Sequence, residues 1–177
     1  MGLASVTSNE HGATDRLLAR VVARLTDDGV RVAGALRPIK HGDREVHCDS
    51  DLRLLPDGPA VRIAQDLGSG SAACRMDAGA LEEAVGIALA RLAEDGADLI
   101  VLNKFGLSET QGRGFRALIV DALGRDVPVL VGLTDAHQSA FERFADGTAI
   151  SLPPDEDAIF AWCKAVIRSS PALAEEA

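Results

Sequence analysis

The first residues that could do chemistry lie in a short loop at positions 8–14, with the sequence Ser-Asn-Glu-His-Gly-Ala-Thr. A phosphate-binding P-loop has the pattern G-x-x-x-x-G-K-[S/T], in which backbone N–H groups and a lysine hold the phosphate. Gly12 and Thr14 fit this pattern, but Ala13 stands about where the lysine belongs and Glu10 adds a negative charge. The pattern therefore indicates a degenerate loop that binds ATP phosphates poorly. The alternative is an ordinary turn in which Thr14 caps a helix.

A second candidate follows the apolar run 98–102, where the chain continues as Asn103-Lys104-Phe-Gly. In a nucleoside triphosphatase, acids at such a strand end hold Mg²⁺ and orient the attacking water. This chain has an amide and an ammonium instead, and the Lys104 ammonium would repel magnesium and attract an anion. The alternative is that both residues simply end the strand and contact solvent.

A third candidate is the Gly-Ser-Gly-Ser segment at 68–71, which leads through Cys74 and Arg75 to a predicted helix start at Asp77. Backbone amides, hydroxyls and a guanidinium could bind a tetrahedral anion there, although a surface linker would have the same composition. The predicted phosphate or oxyanion site consists of Ser8, Asn9, Gly12, Ala13, Thr14, Ser69, Gly70, Ser71, Arg75, Asn103 and Lys104.

A metal site is a weaker hypothesis. The candidate ligands are His47, Cys48, Asp49, Asp51 and Cys74. Four of these lie within five residues of one another, whereas metal ligands usually come from separate segments. The four histidines lack any nucleophile signature around them, so we predict no catalytic residues.

The elements that must position these residues alternate along the chain. Apolar runs predict strands at 3–6, 30–36, 98–102, 127–133 and 148–152, and periodic segments predict helices around 15–27, 77–95, 112–124, 136–145 and 155–168. Between them, positions 43–67 predict a β-hairpin insertion that turns at 56–58. We therefore expect an α/β fold with a three-layer, doubly wound, mainly parallel sheet.

Ligands of such sheets bind at the carboxyl ends of the strands. This rule selects positions 7–15, 103–106 and 134–135 as the places to look for function. The first two contain the loop and the strand end already described, so the fold and the chemistry point to the same edge of the sheet.

The chain contains several distinctive motifs, which are N-K-F-G at 103–106, G-R-G-F-R at 112–116, V-P-V-L-V-G at 127–132, Thr14 with its helix, the segment 48–52, L-P-D-G at 55–58 and C-R-M-D at 74–77. Together these motifs resemble those of the DUF2478 family. That family resembles the THEP1-type nucleoside triphosphatases, whose strand has D-E-I-G and whose first loop is a true P-loop. The resemblance implies a P-loop NTPase-like fold. It gives less support to hydrolysis, because this chain lacks the lysine of the first loop and the two acids at the strand end.

The resemblance also suggests a role linked to molybdenum metabolism. We expect a small anionic ligand, either a nucleotide or molybdate or tungstate. One alternative is a weak triphosphatase in which Lys104 replaces the loop lysine and Asp49 or Asp51 binds Mg²⁺. Another is a regulatory partner protein that binds no ligand. A homo-oligomer and a protein partner from a molybdenum system both remain open.

The composition of the chain argues against several classes of function. A formal net charge of −9 and an aromatic content of 3% argue against nucleic-acid binding. Neither a signal peptide nor a membrane-spanning run is recognisable, and the cysteines are unpaired in spacing, so we expect a cytoplasmic protein without membrane insertion. We predict one domain over 1–170 and a polar tail over 171–177.

Overall fold

Short aliphatic strands alternate with amphipathic helices along the chain, as the hydrophobic periodicity predicts. The computed structural model describes residues 2–8, 10, 12–38, 51–65 and 75–169. The strands are β1 (Leu3–Thr7), β2 (Val32–Leu36), β3 (Asp51–Leu55), β4 (Ala60–Arg62), β5 (Ala64–Gln65), β6 (Arg75–Met76), β7 (Leu99–Leu102), β8 (Val129–Leu133) and β9 (Ala149–Leu152). The helices are α1 (Ala13–Asp27), α2 (Ala78–Glu94), α3 (Leu107–Thr110), α4 (Arg116–Gly124), α5 (Gln138–Ala145) and α6 (Glu156–Arg168), with a 3₁₀ turn at Asp135–His137.

The main sheet has seven strands in the order β4-β3-β2-β7-β8-β1-β9. The five from β2 to β9 in this order are parallel, and β3 and β4 form an antiparallel hairpin at one edge. The predicted mainly parallel sheet and hairpin are therefore confirmed for the described residues. Strands β5 and β6 pair separately as a small ribbon.

Helices cover both faces of the sheet, which explains why β7 and β8 are buried along their whole length. Helices α1 and α6 pack on one face against residues such as Val6, Val101 and Leu130. Helices α2, α4 and α5 pack on the other face against Ile100 and Val131, among others. The predicted three-layer arrangement is confirmed.

One predicted helix begins later than the sequence suggested. The periodicity predicted a helix from 112 to 124, but α4 begins at Arg116. Gly112 and Gly114 have φ angles of 81° and 61°, in the left-handed region that a right-handed helix does not use. The preceding residues form the one-turn helix α3 instead, and a loop joins the two.

The helix start predicted at Asp77 is confirmed. Asp77 caps α2, because its Oδ1 accepts a hydrogen bond of 3.0 Å from the Ala80 amide. Cys163 belongs to the core beneath α6 and is 0% exposed. Among the described helices, none has the length and apolar character needed to cross a membrane.

Candidate functional site

A cavity of about 500 Å³ lies over the carboxyl ends of β1, β2, β7 and β8. This is the edge at which the parallel-sheet rule places ligands. Its lining consists of Ser8, Glu10, Gly12, Thr14, Asp15, Arg37, Asn103, Lys104, Leu133, Thr134, Asp135 and Ala136. We call it the anion cavity, because the sequence predicts an anion site among its residues.

The first wall of the anion cavity is the N-terminus of α1. Gly12 is the N-cap residue, with φ at 69°, and no side chain among the described residues caps the helix. The first helical hydrogen bond runs from the Arg16 amide to the Gly12 carbonyl at 3.1 Å. The N–H groups that precede Arg16 in the first turn therefore have no acceptor within the helix. One of them, the Ala13 amide, donates instead to the Glu10 carbonyl, which lies before the helix. The alternative in which Thr14 caps α1 is wrong, because Thr14 lies inside the first turn.

The second wall depends on Gly132, which the sequence analysis did not single out. A Cβ on Gly132 would lie 3.1 Å from Thr14 Cγ2 and would collide with the Asn103 carbonyl oxygen. The Gly132 carbonyl in turn accepts a 2.9 Å hydrogen bond from the Phe105 amide. The lack of a side chain at this position thus allows the first turn of α1 to approach the end of β7, which brings Thr14 and Asn103 to one site.

Lys104 lies on a loop that a buried carboxylate holds in place. Glu109 is 6% exposed and accepts hydrogen bonds from the amides of Gly106 at 2.8 Å and Phe115 at 2.9 Å. The Lys104 stem folds over Gly106, since Cε lies 3.3 Å from the position that a Cβ would take there. Lys104 itself is exposed, and no ion pair between described residues involves its ammonium group.

The remaining charges in the cavity are mixed. Arg37 follows β2 and lies 3.9 Å from the Asp15 carboxylate, measured from Nη1 to Oδ2. Glu10 and Asp135 are exposed at the cavity surface. Arg37 thus has a long ion pair with Asp15, whereas Lys104 is the lining cation without an ion-pair partner among the described residues.

The structure brings five of the predicted site residues together in this cavity. They are Ser8, Gly12, Thr14, Asn103 and Lys104. Ala13 is the first residue of α1 and does not contribute to the lining. The predicted residues Asn9, Ser69, Gly70 and Ser71 lie outside the described residues, as does the side chain of Arg75, whose backbone begins β6.

The described part of the chain does not test the predicted metal site, because it includes one of the five candidate ligands. His47, Cys48, Asp49 and Cys74 lie outside it, and Asp51 begins β3. No group of three acidic, histidine or cysteine side chains suited to a metal occurs among the residues that the structure describes.

Among the charged residues that line the cavity, Arg37 is the one that lies outside the positions selected from the sequence. It directly follows the apolar run of β2, just as Asn103 follows that of β7. Applying the rule of carboxyl ends to every predicted strand would have selected it.

Comparisons with known proteins agree with this architecture. The model of the family DUF2478, described as a protein of unknown function, matches residues 3–162. The molybdenum import ATP-binding protein ModC 2 of Bradyrhizobium diazoefficiens is 34% identical over 151 residues. Those residues are 84% of this chain but 16% of the length of that relative.

Two solved structures are similar over almost the whole chain. THEP1 from Aquifex aeolicus has 15% sequence identity and a TM-score of 0.61, with coverage of 95% of this chain and 98% of the other. A human cancer-related nucleoside triphosphatase has 13% identity and a TM-score of 0.61, with coverage of 97% and 98%. At these identities the likeness establishes the fold, which is P-loop NTPase-like.

Proposed function

The chain belongs to the DUF2478 family, and from that premise we propose that it is a degenerate P-loop-like protein that binds a small anion. The anion is either the phosphate group of a nucleotide or a molybdate-type oxyanion. One observation supports this function above the others. The anion cavity combines the N-terminus of α1, which no described side chain caps, with the ammonium of Lys104.

Both features attract negative charge for independent physical reasons. The N-terminus of a helix has a partial positive charge of about half a unit, and its N–H groups offer hydrogen bonds to an oxyanion. Helix α1 has 15 residues, so its peptide dipoles are well aligned behind Gly12. Lys104, which follows β7, lines the same cavity and supplies a full charge, which compensates for the absence of a lysine at Ala13.

The same residues support binding without efficient hydrolysis. Phosphoryl transfer needs a metal held by acids and a group that positions the attacking water. At the end of β7 the chain has Asn103 and Lys104 in the place of acids. An ammonium group there repels Mg²⁺, so the cavity holds a charged ligand without the usual means to cleave it.

The proposed connection to molybdenum rests on the relative and on the family. The printed name of the Bradyrhizobium diazoefficiens relative describes a molybdenum import ATP-binding protein. This chain spans only 16% of its length, so the function of that whole protein is a hypothesis for the present chain. Molybdate, a tetrahedral dianion, matches the chemistry of a helix N-terminus with a nearby lysine.

A weak Mg²⁺-dependent triphosphatase is the second candidate, because Glu10, Asp15 and Asp135 also line the cavity. Magnesium in nucleotide sites is commonly held by one or two carboxylates together with phosphate oxygens. Of the acids first considered for this role, Asp51 lies on β3 and is not among the lining residues, and Asp49 lies outside the described residues.

Isothermal titration calorimetry with ATP, GTP, molybdate, tungstate and sulfate tests the proposal. We expect at least one ligand to bind. Lys104→Ala should weaken that binding by roughly 10- to 100-fold, since a charge-assisted hydrogen bond contributes about 1.5–3 kcal/mol. Lys164→Ala is the matched control, because Lys164 forms an exposed ion pair with Asp28 and does not line the cavity.

Two results would contradict the proposal. One is the absence of binding by all five ligands in a folded sample, and the other is an equal loss in both lysine variants. Mg²⁺-dependent release of phosphate from ATP that disappears in Asp135→Asn would instead favour the triphosphatase.

A further inference from the structure

A second, smaller cavity of about 240 Å³ lies between α5 and the strands β1 and β9. We call it the edge cleft. Its lining consists of Ser5, Thr7, Leu133, Asp135, Gln138, Phe141, Glu142, Ala145, Gly147, Ala149 and Ser151. Small side chains such as Ala145 and Ala149 leave this space beneath α5, while Phe141 forms an apolar wall.

The floor of the edge cleft is a group of hydroxyls set by strand register. Ser5 and Thr7 are two residues apart on β1, so their side chains point to the same face of the sheet. Ser151 on β9 is the parallel partner of Ser5, which places its hydroxyl beside the other two. A core strand would normally place aliphatic side chains on such a face, as β8 does.

The opposite wall of the edge cleft consists of carboxylate and amide side chains. Glu142 and Gln138 lie one turn apart on α5, and the Gln138 Nε2 donates to Glu142 Oε1 at 3.0 Å. Asp135 lies at the mouth, and no cation is present among the described residues that line the cleft. This composition repels phosphate but accepts hydrogen bonds from neutral hydroxyl groups, as carboxylates do with the ribose of dinucleotides.

The edge cleft and the anion cavity adjoin each other near the end of β1. Leu133 and Asp135 line both of them. The consecutive residues Thr7 and Ser8 line the cleft and the cavity respectively. One ligand with a charged end and a hydroxylated end would therefore fit the two compartments together.

We propose that the edge cleft binds the sugar of a nucleotide whose phosphates occupy the anion cavity. This inference rests on the proposed function and chooses between its two ligand classes, because a free oxyanion has no group for the cleft. The hydroxyls of Ser5, Thr7 and Ser151 and the carboxylate of Glu142 recognise the sugar hydroxyls, while Lys104 and the N-terminus of α1 bind the phosphates.

The test compares three probes by calorimetry in magnesium-free buffer: ATP, 2′,3′-dideoxy-ATP and inorganic tripolyphosphate. We expect ATP to bind at least about tenfold more tightly than the other two, which lack the sugar hydroxyls or the whole nucleoside. Ser151→Val fills the cleft on a strand that tolerates a β-branched residue, and it should remove the advantage of ATP without changing tripolyphosphate binding.

The matched control is Ser139→Val, an exposed position on α5 that does not line the cleft. It should leave the preference for ATP intact, and Glu142→Gln should reduce it. Equal affinities for ATP and its dideoxy analogue, or a parallel loss of ATP and tripolyphosphate in Ser151→Val, would overturn the inference. In either case, binding of tripolyphosphate that depends on Lys104 would still support the proposed anion-binding function. If none of the three probes and no molybdate bound, both the sugar site and the anion-binding function would be contradicted.

Discussion

Glu109 shows how a single buried carboxylate organises the loop that presents Lys104. Its two oxygens accept hydrogen bonds from the amides of Gly106 and Phe115, on either side of the short helix α3. Gly114 completes the arrangement, since a Cβ there would collide with Glu109 Oε1. Glu109 thus holds the loop that carries Lys104, although Glu109 itself does not line the cavity.

Removal of that carboxylate should destabilise the protein and the site together. Glu109→Ala leaves two buried amides without an acceptor, each at a cost of about 1–3 kcal/mol. We expect the free energy of unfolding in urea to fall by roughly 2 kcal/mol or more, and anion affinity to fall as well. Glu94→Ala, an exposed acid at the end of α2, is the control and should change neither quantity measurably. Unchanged stability in Glu109→Ala would contradict the role assigned to these bonds.

The thiol of Cys163 gives a prediction with a defined pH range. Burial beneath α6 raises its pKa from 9.0 to about 12. The unfolded thiol ionises near 9 while the folded thiol stays protonated, so the stabilising contribution is complete below pH 9 and is lost as the pH rises towards 12. The slope of the unfolding free energy from this group is at most about 1.4 kcal/mol per pH unit.

Urea unfolding at several pH values between 8 and 10.5 measures this slope. Cys163→Ala should show a shallower loss of stability across that range than the unsubstituted chain, because other titrating groups are common to both. Identical slopes would show that the Cys163 thiol ionises equally in the folded and unfolded states.

At the scale of elements, the close approach of α1 to β7 and β8 forms the site. Gly132 permits it, and the Thr14 methyl lies 3.1 Å from the position of a Cβ on that residue. The sequence predicted each of these elements but not their contact, because hydrophobic periodicity locates a helix or strand without specifying distances between them. The sequence also did not predict the late start of α4. The hydrophobic pattern is helical from position 112, but the positive φ angles of Gly112 and Gly114 prevent a helix there.

A methyl group at position 132 should therefore damage the site. Gly132→Ala must displace the Asn103 backbone or the first turn of α1, and overpacking of this kind costs about 1–3 kcal/mol. We expect a lower melting temperature and weaker anion binding. Gly86→Ala is the control, because a Cβ at that helical position has no neighbour within 4 Å, and it should stabilise the protein by about 0.5–1 kcal/mol. Anion binding by Gly132→Ala at the affinity of the unsubstituted chain would contradict this account.

For the whole molecule, we predict one cooperative unit, because clusters of buried residues on both faces extend across the sheet. Trp162 on α6 is the single tryptophan, so its fluorescence reports on one layer, whereas far-ultraviolet circular dichroism reports on all helices. The two signals should give coincident urea transitions. Separate midpoints would show that α6 unfolds independently of the rest.

The alternation of elements made the parallel sheet and its ligand edge predictable from the sequence. It also predicted that Thr14 and Asn103 share this edge, since Asn103 follows β7 and Thr14 lies in the first turn of the helix that follows β1. Arg37 and the edge cleft were missed for different reasons. Arg37 follows β2 without belonging to a recognisable motif, and the hydroxyl floor depends on the register between β1 and β9, which the sequence does not specify.

The most direct test of the anion cavity is a ¹H–¹⁵N NMR titration of the uniformly labelled protein with ATP and, separately, with molybdate. We expect the largest chemical-shift changes at the backbone amides of residues 12–15 and 104–106, where the N-terminus of α1 faces the loop of Lys104. Helix α6 should show small changes. Saturable changes centred on a different face of the molecule, or no changes with either ligand, would contradict the assignment of this cavity as the binding site.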